Sequence, residues 1–430
     1  MIYLQIYVVN QGDTLTSIAN RFQTTTNALT SANQLNAPNQ LVVGQALVIP
    51  INGQFYFVQS GDSLYSISQR FNINYNQLAT INNLSINTPL QVGYRLYIPP
   101  QPKTNAEFNG YVAPQGTSVA QNLIDGANEA APYLTYLAPF SFQVNRDGSL
   151  EEPLLQPFIP IAQANNNTLM MVLTNQENGA FSNELGNILL NNMDVQDTFI
   201  ENIIQTAQKY NFKDIHFDFE YLRPQDREAY INFLRKVKNR FSQYGWLLSV
   251  ALAPKTSAQQ KGAWYEAHDY GAIGSIVDFA VIMTYEWGYS GGPAMAVSPI
   301  GPVTEVINYA LTEMPSTKIM MGQNLYGYDW TLPFVKGSIA RAISPQQAIN
   351  IARQYGVAIL YSQDSQAPYF NYTDSDGKQH EVWFEDARSI QRKFDLVKEK
   401  NLRGVSYWKL GLSFPQNWLL LNDNFNVKKN

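Results

Sequence analysis

Two stretches within the first hundred residues share one spacing of apolar and polar positions. Residues 7–50 align without a gap to residues 56–99. Each copy reads as a strand, a Gly-Asp turn, two short helices, a loop and a second strand, with few apolar positions facing inward. Asp13 and Asp62 stand where a helix N-cap is expected, just ahead of helical apolar spacing. The pattern predicts two minimal βααβ domains, at residues 1–51 and 55–100.

The pattern changes after residue 100. Residues 101–108 are rich in proline and polar residues and predict a short, semi-stiff linker. Beyond it, strand-like apolar runs alternate with helical stretches. The predicted strands are 109–114, 134–142, 168–174, 214–220, 246–253, 277–285, 318–328 and 404–411. Eight such strands predict an α/β fold, a (β/α)₈ TIM barrel over 109–430. The stretch of about 329–395 is too long for a simple connection and predicts a small α+β insertion.

One predicted strand, in KDIHFDFE (213–220), alternates apolar with ionisable residues. In a barrel, alternate strand residues face either the helices or the interior, so His216, Asp218 and Glu220 are expected to face inward. Buried acids cost stability unless they are paired or protonated, and barrel enzymes keep their chemistry at the carboxyl ends of strands. Like charges two residues apart raise one pKa, so a proton is held near neutral pH. We therefore expect Glu220 to act as a general acid, with Asp218 beneath it.

Composition removes several classes of function. The chain has 45% hydrophobic and 15% charged residues, and its net charge of −5 argues against nucleic acid or anionic lipid as main partners. No apolar run reaches the length of a membrane span. Without cysteine, and with three scattered histidines, the sequence predicts neither disulfides nor a metal site, and no phosphate-binding glycine loop indicates a nucleotide cofactor. No obligate protein partner is evident.

The two repeats resemble LysM domains from end to end. The resemblance implies binding of polymers that contain N-acetylglucosamine (GlcNAc), either chitin or peptidoglycan. The contacts are expected from the loop after each first strand and the loop before each last strand (39–42 and 88–91). The candidate residues are Gly12, Asp13, Thr14, Gly61, Asp62 and Ser63. For the two glycines a turn that needs positive φ is the favoured explanation. Two copies in series raise the effective concentration along a polymer.

KDIHFDFE resembles the DxxDxDxE signature of glycoside hydrolase family 18, the chitinase-like barrels. Two further matches are Met283-Thr-Tyr285-Glu286 at the sixth strand and Trp408 at the eighth. The resemblance implies substrate-assisted, retaining hydrolysis without a cofactor. Glu220 is expected to protonate the glycosidic oxygen, Asp218 to orient the acetamido group, and Tyr285 to steady its carbonyl. The resemblance and composition also give candidates for substrate contact: Trp408, His216, Glu286, Met283 and Trp383.

The chain departs from the family's pattern both within the signature and at the sixth strand. Lys213 and Asp214 occupy the first two positions, and His216 replaces the middle aspartate, which in the family shares hydrogen bonds with the Asp218 position. A charged His216 would hold Asp218 ionised, and the alternative is a buried structural histidine. Glu286 stands where aspartate or asparagine is usual, which affects its expected contact with substrate.

Tandem LysM repeats ahead of this barrel resemble the SleL/YaaH group of spore cortex-lytic enzymes. The start lacks the features of a secretory signal, and the resemblance implies deposition onto the spore coat and cortex region from the mother cell. It further implies a peptidoglycan N-acetylglucosaminidase that cuts after GlcNAc during germination. A muramic δ-lactam lacks the acetyl carbonyl that must act as nucleophile. The alternatives are a chitinase of the same mechanism and a non-catalytic glycan-binding spore coat protein.

Overall fold

The two repeats fold as separate βααβ domains. The structure, a computed structural model, describes residues 4–87 and 89–429. The first repeat contains β1 (Gln5–Val8), α1 (Leu15–Arg21), α2 (Thr26–Ala32) and β2 (Ala46–Ile49). The second contains β3 (Gln54–Phe57), α3 (Leu64–Arg70), α4 (Tyr75–Ile81) and β4 (Arg95–Ile98). In each repeat the two strands pair antiparallel. The βααβ prediction is confirmed.

The first helix of each repeat is capped by a different residue from the one predicted. Thr14 and Ser63 accept the N-cap hydrogen bonds, since their hydroxyls reach the backbone N–H three residues further on. The Asp13 carboxylate instead accepts a hydrogen bond from the Tyr7 hydroxyl at 2.7 Å, and Asp62 takes the same role in the second repeat. The aspartates therefore close the turn against the first strand and do not cap the helix.

The barrel is built from alternating strands and helices along residues 104–427. Its first half contains β5 (Thr104–Val112), α5 (Gln121–Ala130), β6 (Tyr136–Pro139), β7 (Phe142–Val144), β8 (Leu150–Glu151), α6 (Phe158–Ala164), β9 (Thr168–Thr174), β10 (Gln176–Glu177), β11 (Ala180–Phe181), α7 (Asn183–Asn191), α8 (Met193–Tyr210) and β12 (Asp214–Asp218). Then follow α9 (Arg227–Phe241), β13 (Leu247–Leu252), α10 (Tyr270–Ile276), β14 (Phe279–Ile282), α11 (Ile300–Glu313) and β15 (Ile319–Asn324).

An inserted subdomain follows β15 and precedes the last barrel strand. It contains β16 (Gly327–Leu332), β17 (Arg341–Ile343), α12 (Pro345–Gln354), β18 (Leu360–Ser362), β19 (Ala367–Thr373) and β20 (Gln379–Trp383). The chain then returns to the barrel with α13 (Ala387–Glu399), β21 (Gly404–Trp408), α14 (Pro415–Asn424) and β22 (Phe425–Val427). The five inserted strands form one sheet, in the order β17-β16-β20-β19-β18. The insertion ends before the predicted residue 395, because α13 packs into the main core of the barrel.

Eight parallel strands close the barrel. Their order is β5-β6-β9-β12-β13-β14-β15-β21, and β21 pairs with β5 to complete the circle. The predicted TIM barrel is confirmed. Strand β5 begins at Thr104, inside the range predicted as linker, because Thr104–Ala106 pair with β22 at the end of the chain. The connection between the repeats and the barrel is correspondingly short.

Strand β12 is buried along its whole length, and its two faces differ as predicted. Phe217 and the following Phe219 pack toward the helices, where both rings lie within 6.4 Å of the Phe199 and Phe233 rings on α8 and α9. The ionisable residues of the stretch face the barrel interior. This alternation places Asp218 and Glu220 at the carboxyl end of the barrel, between β9 and β13, and leaves Asp214 at the amino end of β12.

The first repeat is packed against both the barrel and the insertion. On the barrel side, Gln416 Nε2 donates to Asn33 Oδ1 at 2.7 Å and to the Ala46 carbonyl at 2.9 Å. On the insertion side, Arg353 Nε donates to the Gln40 carbonyl at 3.0 Å, and the Ile359 N–H donates to the Val43 carbonyl at 2.8 Å. Val42 joins the apolar core of the insertion. Gly44 lies so close to the insertion that a Cβ there would meet the Ile359 carbonyl oxygen at 1.8 Å.

The second repeat packs on the first. Gln5 exchanges two hydrogen bonds with the backbone of Phe55, and the Phe57 ring lies 6.3 Å from that of Phe22. The second repeat thus contacts the first repeat, and the first repeat contacts the barrel and the insertion. Among the helices that the structure describes, none combines the length and apolarity that crossing a membrane requires.

Candidate active site

A cavity of about 620 Å³ opens at the carboxyl ends of the barrel strands. Six residues predicted for the site line it: Asp218, Glu220, Met283, Tyr285, Glu286 and Trp408. The rest of the lining is largely aromatic and comprises Tyr111, Phe140, Phe181, Tyr221, Trp264, Tyr265 and Tyr289, with Gln176 and Ala251. Rings flanking a small polar centre suit a sugar, whose apolar faces stack on aromatic side chains while its hydroxyls need polar partners.

Glu220 is held in place through its own backbone. The Asn175 side chain accepts a hydrogen bond from the Glu220 N–H and donates one to the Glu220 carbonyl, both at 2.9 Å. Asn175 directly follows β9, the strand beside β12, so the two strand ends are fastened together. Sequence reasoning missed Asn175, because a single asparagine after an apolar run carries no periodic signal.

Burial makes both carboxyl groups hold protons more tightly than usual. It raises the pKa of Asp218 to about 7. Burial, and then the charge of Asp218, raises the pKa of Glu220 well above its ordinary value. Two neighbouring acids in a dry site do not both ionise readily, so Glu220 keeps its proton while Asp218 is the first to lose one. Asp218 Oδ1 is buried and has no hydrogen-bond partner within the described chain.

Trp264 fixes the orientation of the Glu220 carboxyl. Its indole Nε1–H donates to Glu220 Oε2 at 2.5 Å, and its ring stacks on Tyr221 at 6.0 Å with an interplanar angle of 12°. Because Oε2 accepts this bond, the acid proton of Glu220 belongs on Oε1. Trp264 lies in the irregular segment between β13 and α10, where no motif marked it beforehand.

Tyr285 and Glu286 lie on the next side of the cavity, beyond the end of β14. Burial raises the pKa of Tyr285 well above its usual value, so its hydroxyl stays protonated and able to donate. The Glu286 backbone adopts a positive φ of 67°. Its Oε1 accepts hydrogen bonds from the hydroxyls of Tyr326 and Tyr328, the latter at 3.0 Å. One oxygen of Glu286 is therefore already committed to the protein.

Trp408 ends β21 and forms part of the cavity wall. Its ring lies 4.8 Å from Phe140 at an interplanar angle of 74°, and 5.6 Å from Tyr111. The Lys409 ammonium lies over the same indole ring at 5.7 Å. Met283, buried just after the end of β14, adds an apolar surface to the same cavity.

His216 does not line the cavity, contrary to the expectation of substrate contact. Its side chain is fully buried, with Nδ1 2.7 Å from Ser249 Oγ and Nε2 2.9 Å from the Tyr111 hydroxyl. Burial lowers the pKa of His216 to about 3, so the ring is neutral and does not hold Asp218 ionised by its charge. The alternative, a hydrogen-bonded buried histidine, fits this placement.

Trp383 also lies outside the cavity lining. It belongs to β20 of the insertion, where its ring stacks on Tyr369 at 4.6 Å and its Nε1–H donates to Glu381 Oε1 at 2.6 Å. These local partners explain its place in the sheet. It reaches the neighbourhood of the site only by packing against the aromatic cluster around Tyr285 and Trp408.

Two of the three candidate residues of the first repeat, Asp13 and Thr14, line a separate groove of about 550 Å³, and Asn39 and Leu41 of the expected second loop line it with them. Gly12 is not part of this lining. Val42, expected in the same loop, is buried against the insertion and is not available to a ligand. Thr88, part of the matching loop in the second repeat, lies outside the described residues.

The two turn glycines of the repeats have the backbone conformation that was favoured for them. Gly12 and Gly61 adopt φ values of +85° and +84°. The turn alone accounts for both residues, because only glycine adopts this region without strain. Within residues 4–87 and 89–429, no three histidine, aspartate or glutamate side chains come together in a group that could hold a metal ion.

Comparison with known proteins agrees with this architecture. Residues 107–412 match the family described as glycosyl hydrolases family 18, and residues 7–50 and 56–99 each match the LysM domain. The chain is 66% identical over 427 residues to the cortical fragment-lytic enzyme of Bacillus subtilis (strain 168), covering 99% of both chains. It superimposes on the crystal structure of the Bacillus megaterium QM B1551 spore cortex-lytic enzyme SleL with a TM-score of 0.93, at 55% identity and full coverage of both chains. The Bacillus cereus SleL crystal structure gives a TM-score of 0.90 at 52% identity, covering 99% of this chain and 98% of the other.

Proposed function

The chain belongs to glycosyl hydrolases family 18, and on this premise we propose that it hydrolyses spore cortex peptidoglycan after GlcNAc residues. One observation carries the proposal. Asp218 and Glu220 enter the same aromatic-lined cavity from one strand end, and Glu220 is the acid that keeps its proton. Neighbours on one strand do not flank a glycosidic bond from both sides, so they suit a reaction in which the substrate provides the nucleophile.

Asp218 has the properties needed to orient a 2-acetamido group. Its buried Oδ1 lacks a protein partner, and an acetamido N–H at that position would supply the missing hydrogen bond. The bond turns the acetamido carbonyl oxygen toward the anomeric carbon. Because nucleophile and electrophile belong to one sugar, attack has the high effective molarity of an intramolecular reaction.

In the first step, the acetamido oxygen bonds to the anomeric carbon as the bond from that carbon to the glycosidic oxygen breaks. Glu220 gives its Oε1 proton to the departing oxygen. The Tyr285 hydroxyl donates to the acetamido oxygen, and ionised Asp218 stabilises the positive oxazolinium ring. Water then attacks the anomeric carbon, Glu220 takes its proton, and the ring opens with retention of configuration.

The requirement for a 2-acetamido group excludes cleavage after a muramic δ-lactam. GlcNAc carries that group, whereas a muramic δ-lactam lacks the acetyl carbonyl and cannot provide the nucleophile. We infer that the new reducing ends are GlcNAc. The relatives named as cortex-lytic support cortex peptidoglycan as the substrate, spore germination as the setting and the spore as the location. The LysM repeats support retention of the enzyme on GlcNAc-containing glycan.

Analysis of the products tests this proposal. Cortex peptidoglycan fragments and chitin oligomers are digested separately with the full-length chain, the new reducing ends are labelled by reduction, and products are identified by mass spectrometry. We expect labelled GlcNAc from cortex fragments and faster turnover of these than of chitin. Labelled muramic residues would contradict the cleavage site, and preference for chitin would indicate a chitinase. Binding of glycan without any turnover would indicate a glycan-binding coat protein.

A further inference from the structure

Four buried side chains form a continuous hydrogen-bonded chain beneath the cavity. On neighbouring strands, Ser249 Oγ donates to Asp214 Oδ1 at 2.9 Å, and His216 Nδ1 lies 2.7 Å from Ser249 Oγ. His216 Nε2 then lies 2.9 Å from the Tyr111 hydroxyl. Asp214, His216 and Ser249 have no exposed surface, and Tyr111, 4% exposed, is the member that lines the cavity.

The direction of every hydrogen bond in this chain depends on Asp214. A serine hydroxyl has one hydrogen, so when Ser249 donates to ionised Asp214, His216 must carry its hydrogen on Nδ1 and donate to Ser249. His216 Nε2 then accepts from Tyr111. When Asp214 is protonated and donates to Ser249, all these bonds reverse, and His216 carries its hydrogen on Nε2.

We propose that these side chains are a proton wire, through which the sealed Asp214 carboxyl takes up and releases a proton at the active-site cavity. On uptake, the Tyr111 oxygen gains a proton from the cavity and passes its own to His216 Nε2. His216 releases its Nδ1 proton to Ser249, which passes its original proton to Asp214 Oδ1. Within the wire four O–H or N–H bonds form and three break, and the fourth bond to break is that of the proton donor in the cavity, a hydronium ion or a buffer acid. Of the groups in the wire, only Asp214 changes its charge.

The surroundings of Asp214 suit this role. Burial raises the pKa of Asp214 to about 7, and its Oδ2 has no hydrogen-bond partner among the described residues. The charged and titratable groups that act on it from neighbouring strands are Glu107, Tyr136, Asp278 and Arg403. Two lysines balance the acids among these: Lys238 pairs with Asp278 at 2.6 Å, and Lys428 lies 3.9 Å from Glu107.

His216 is suited to pass a proton on while its own ring stays neutral. Burial keeps its pKa at about 3, so near neutral pH the ring changes tautomer and not charge. An aspartate at this position would itself compete for the proton. The substitution of histidine for the middle aspartate of the signature therefore moves the proton-holding group from position 216 down to Asp214.

The wire links that proton to the hydroxyl at the cavity wall. With Asp214 ionised, the Tyr111 hydrogen points to His216. With Asp214 protonated, His216 donates to Tyr111 and frees this hydrogen for another acceptor, either the neighbouring Ser406 side chain or a group in the cavity. Burial, and then the charge of Asp218, raises the pKa of Tyr111, so the two groups are electrostatic neighbours. Protonation of Asp214 through the wire would therefore favour the ionised form of Asp218. This consequence for hydrolysis rests on the proposed function, whereas the wire itself does not.

The tautomer of His216 directly reports whether Asp214 is protonated or ionised. Long-range ¹H–¹⁵N correlation spectra of the ¹⁵N-labelled full-length chain, without substrate, distinguish an Nδ1–H from an Nε2–H imidazole. Between about pH 5 and about pH 9 we expect His216 to change from the Nε2–H to the Nδ1–H form as Asp214 ionises. His268 is an internal control. The Ala253 N–H donates to its Nδ1 at 2.9 Å and its Nε2 faces the Phe219 carbonyl at 3.0 Å, so it stays Nε2–H throughout.

Two substitutions of Ser249 complete the test. Ser249→Ala removes the hydroxyl that joins His216 to Asp214 and should abolish the pH-dependent switch, whereas Ser249→Thr keeps a hydroxyl and should preserve it. A single tautomer of His216 across the pH range in the unsubstituted chain would overturn the proposal, even if neither variant folds. A switch that persists unchanged in Ser249→Ala would overturn it equally. Since no substrate is present, failure of the glycosidase assignment does not affect the result.

Discussion

At the scale of single residues, the Glu220 carboxyl has the properties that the proposed proton transfer requires. Its two oxygens have separate roles, because Oε2 is taken by Trp264 and Oε1 is left for the proton. Replacing Glu220 by glutamine keeps the size and the acceptor oxygen but removes the transferable proton. We expect Glu220→Gln to lower kcat by about 10²–10⁴-fold, the range for a lost general acid. Binding of glycan and thermal unfolding should be unchanged. Turnover near the normal rate would contradict the acid role.

The Trp264 indole sets the pH at which that proton is lost. Its hydrogen bond to Oε2 stabilises ionised Glu220 and so lowers a pKa that burial has raised. Trp264→Phe keeps an aromatic ring beside Tyr221 but deletes the N–H. We expect the pKa of Glu220 to rise and the alkaline limb of kcat/KM to move to higher pH.

The matched control is Trp330→Phe, which deletes an indole N–H that donates to the Gly292 carbonyl at 3.0 Å. Trp330 is not a neighbour that shifts the pKa of Glu220. Its substitution should therefore leave the alkaline limb in place. A shift of equal size in both variants would show that loss of an indole N–H alters the profile indirectly.

Asp214 makes the folded state less stable as the pH rises. Its pKa is about 7 when folded and about 3.9 in an unfolded chain, so between these values the unfolded state has lost a proton that the folded state keeps. The stabilisation is present below about pH 4 and is lost as the pH rises through about 7. Asp214→Asn removes this dependence while keeping an acceptor for Ser249.

Relative to the unsubstituted chain, Asp214→Asn should therefore gain stability with rising pH. The gain should be ~1.4 kcal/mol per pH unit between about pH 4 and about pH 7. Urea unfolding of both proteins at several pH values measures it. His216 and His268, whose pKa values are lowered, have the opposite effect on both proteins and cancel in the difference. A difference that does not vary with pH would contradict the raised pKa.

At the scale of the elements, the site depends on how two neighbouring strand ends are tied together. Asn175 after β9 satisfies both backbone groups of Glu220 beyond β12. Asn175→Ala leaves those buried groups unpaired, which we expect to cost about 1–3 kcal/mol of unfolding free energy for each lost partner. It should also lower kcat, because Glu220 is no longer fixed at the cavity.

Asn167→Ala provides the comparison. Asn167 donates to the carbonyls of Ala131 at 2.9 Å and Leu134 at 2.6 Å, at the opposite end of β9 from Asn175. It should lose stability without a comparable loss of kcat in the fraction that remains folded. Equal losses of kcat in both variants would show that the tie at Glu220 has no specific importance.

The elements also show what a sequence can and cannot predict here. Strand β9 and the alternating faces of β12 follow from apolar periodicity, which is a local property. The start of β5 and the buried place of His216 depend on partners far along the chain, β22 and Ser249. Trp264 and Asn175 were missed for the same reason, since each acts through one contact that tertiary structure creates. The capping residue was misassigned by one position, because Asp13 accepts from the Tyr7 hydroxyl and leaves the cap to Thr14.

At the scale of the whole molecule, the first repeat is packed onto the barrel and its insertion. Gly44 and Gly93 occupy matching turns of the two repeats with the same φ of +84°. A Cβ at Gly44 would meet the Ile359 carbonyl oxygen at 1.8 Å, whereas a Cβ at Gly93 would meet no atom within 4 Å. Alanine at either position costs about 1–2 kcal/mol for the left-handed backbone. We expect Gly44→Ala to cost more, because it also separates the repeat from the insertion.

Hydrogen exchange measured by mass spectrometry can locate that extra loss. In Gly44→Ala, faster exchange should appear on both sides of the interface, around Val43 and Ile359, whose backbone groups bond at 2.8 Å. In Gly93→Ala it should stay within the second repeat. If the two variants lose the same stability and exchange only locally, the first repeat is not held by this contact.

The short connection and the packed first repeat change what anchoring means for this chain. A binding domain on a loose tether searches a volume, and each encounter costs the entropy of stretching the tether. Here that freedom is already lost on folding, so a glycan strand bound in the groove of the first repeat, as we propose, would meet the cleft at one offset and in one direction. The shape of the protein would then determine the polarity of the bound glycan strand and the number of sugars between the groove of the first repeat and the bond that is cleaved.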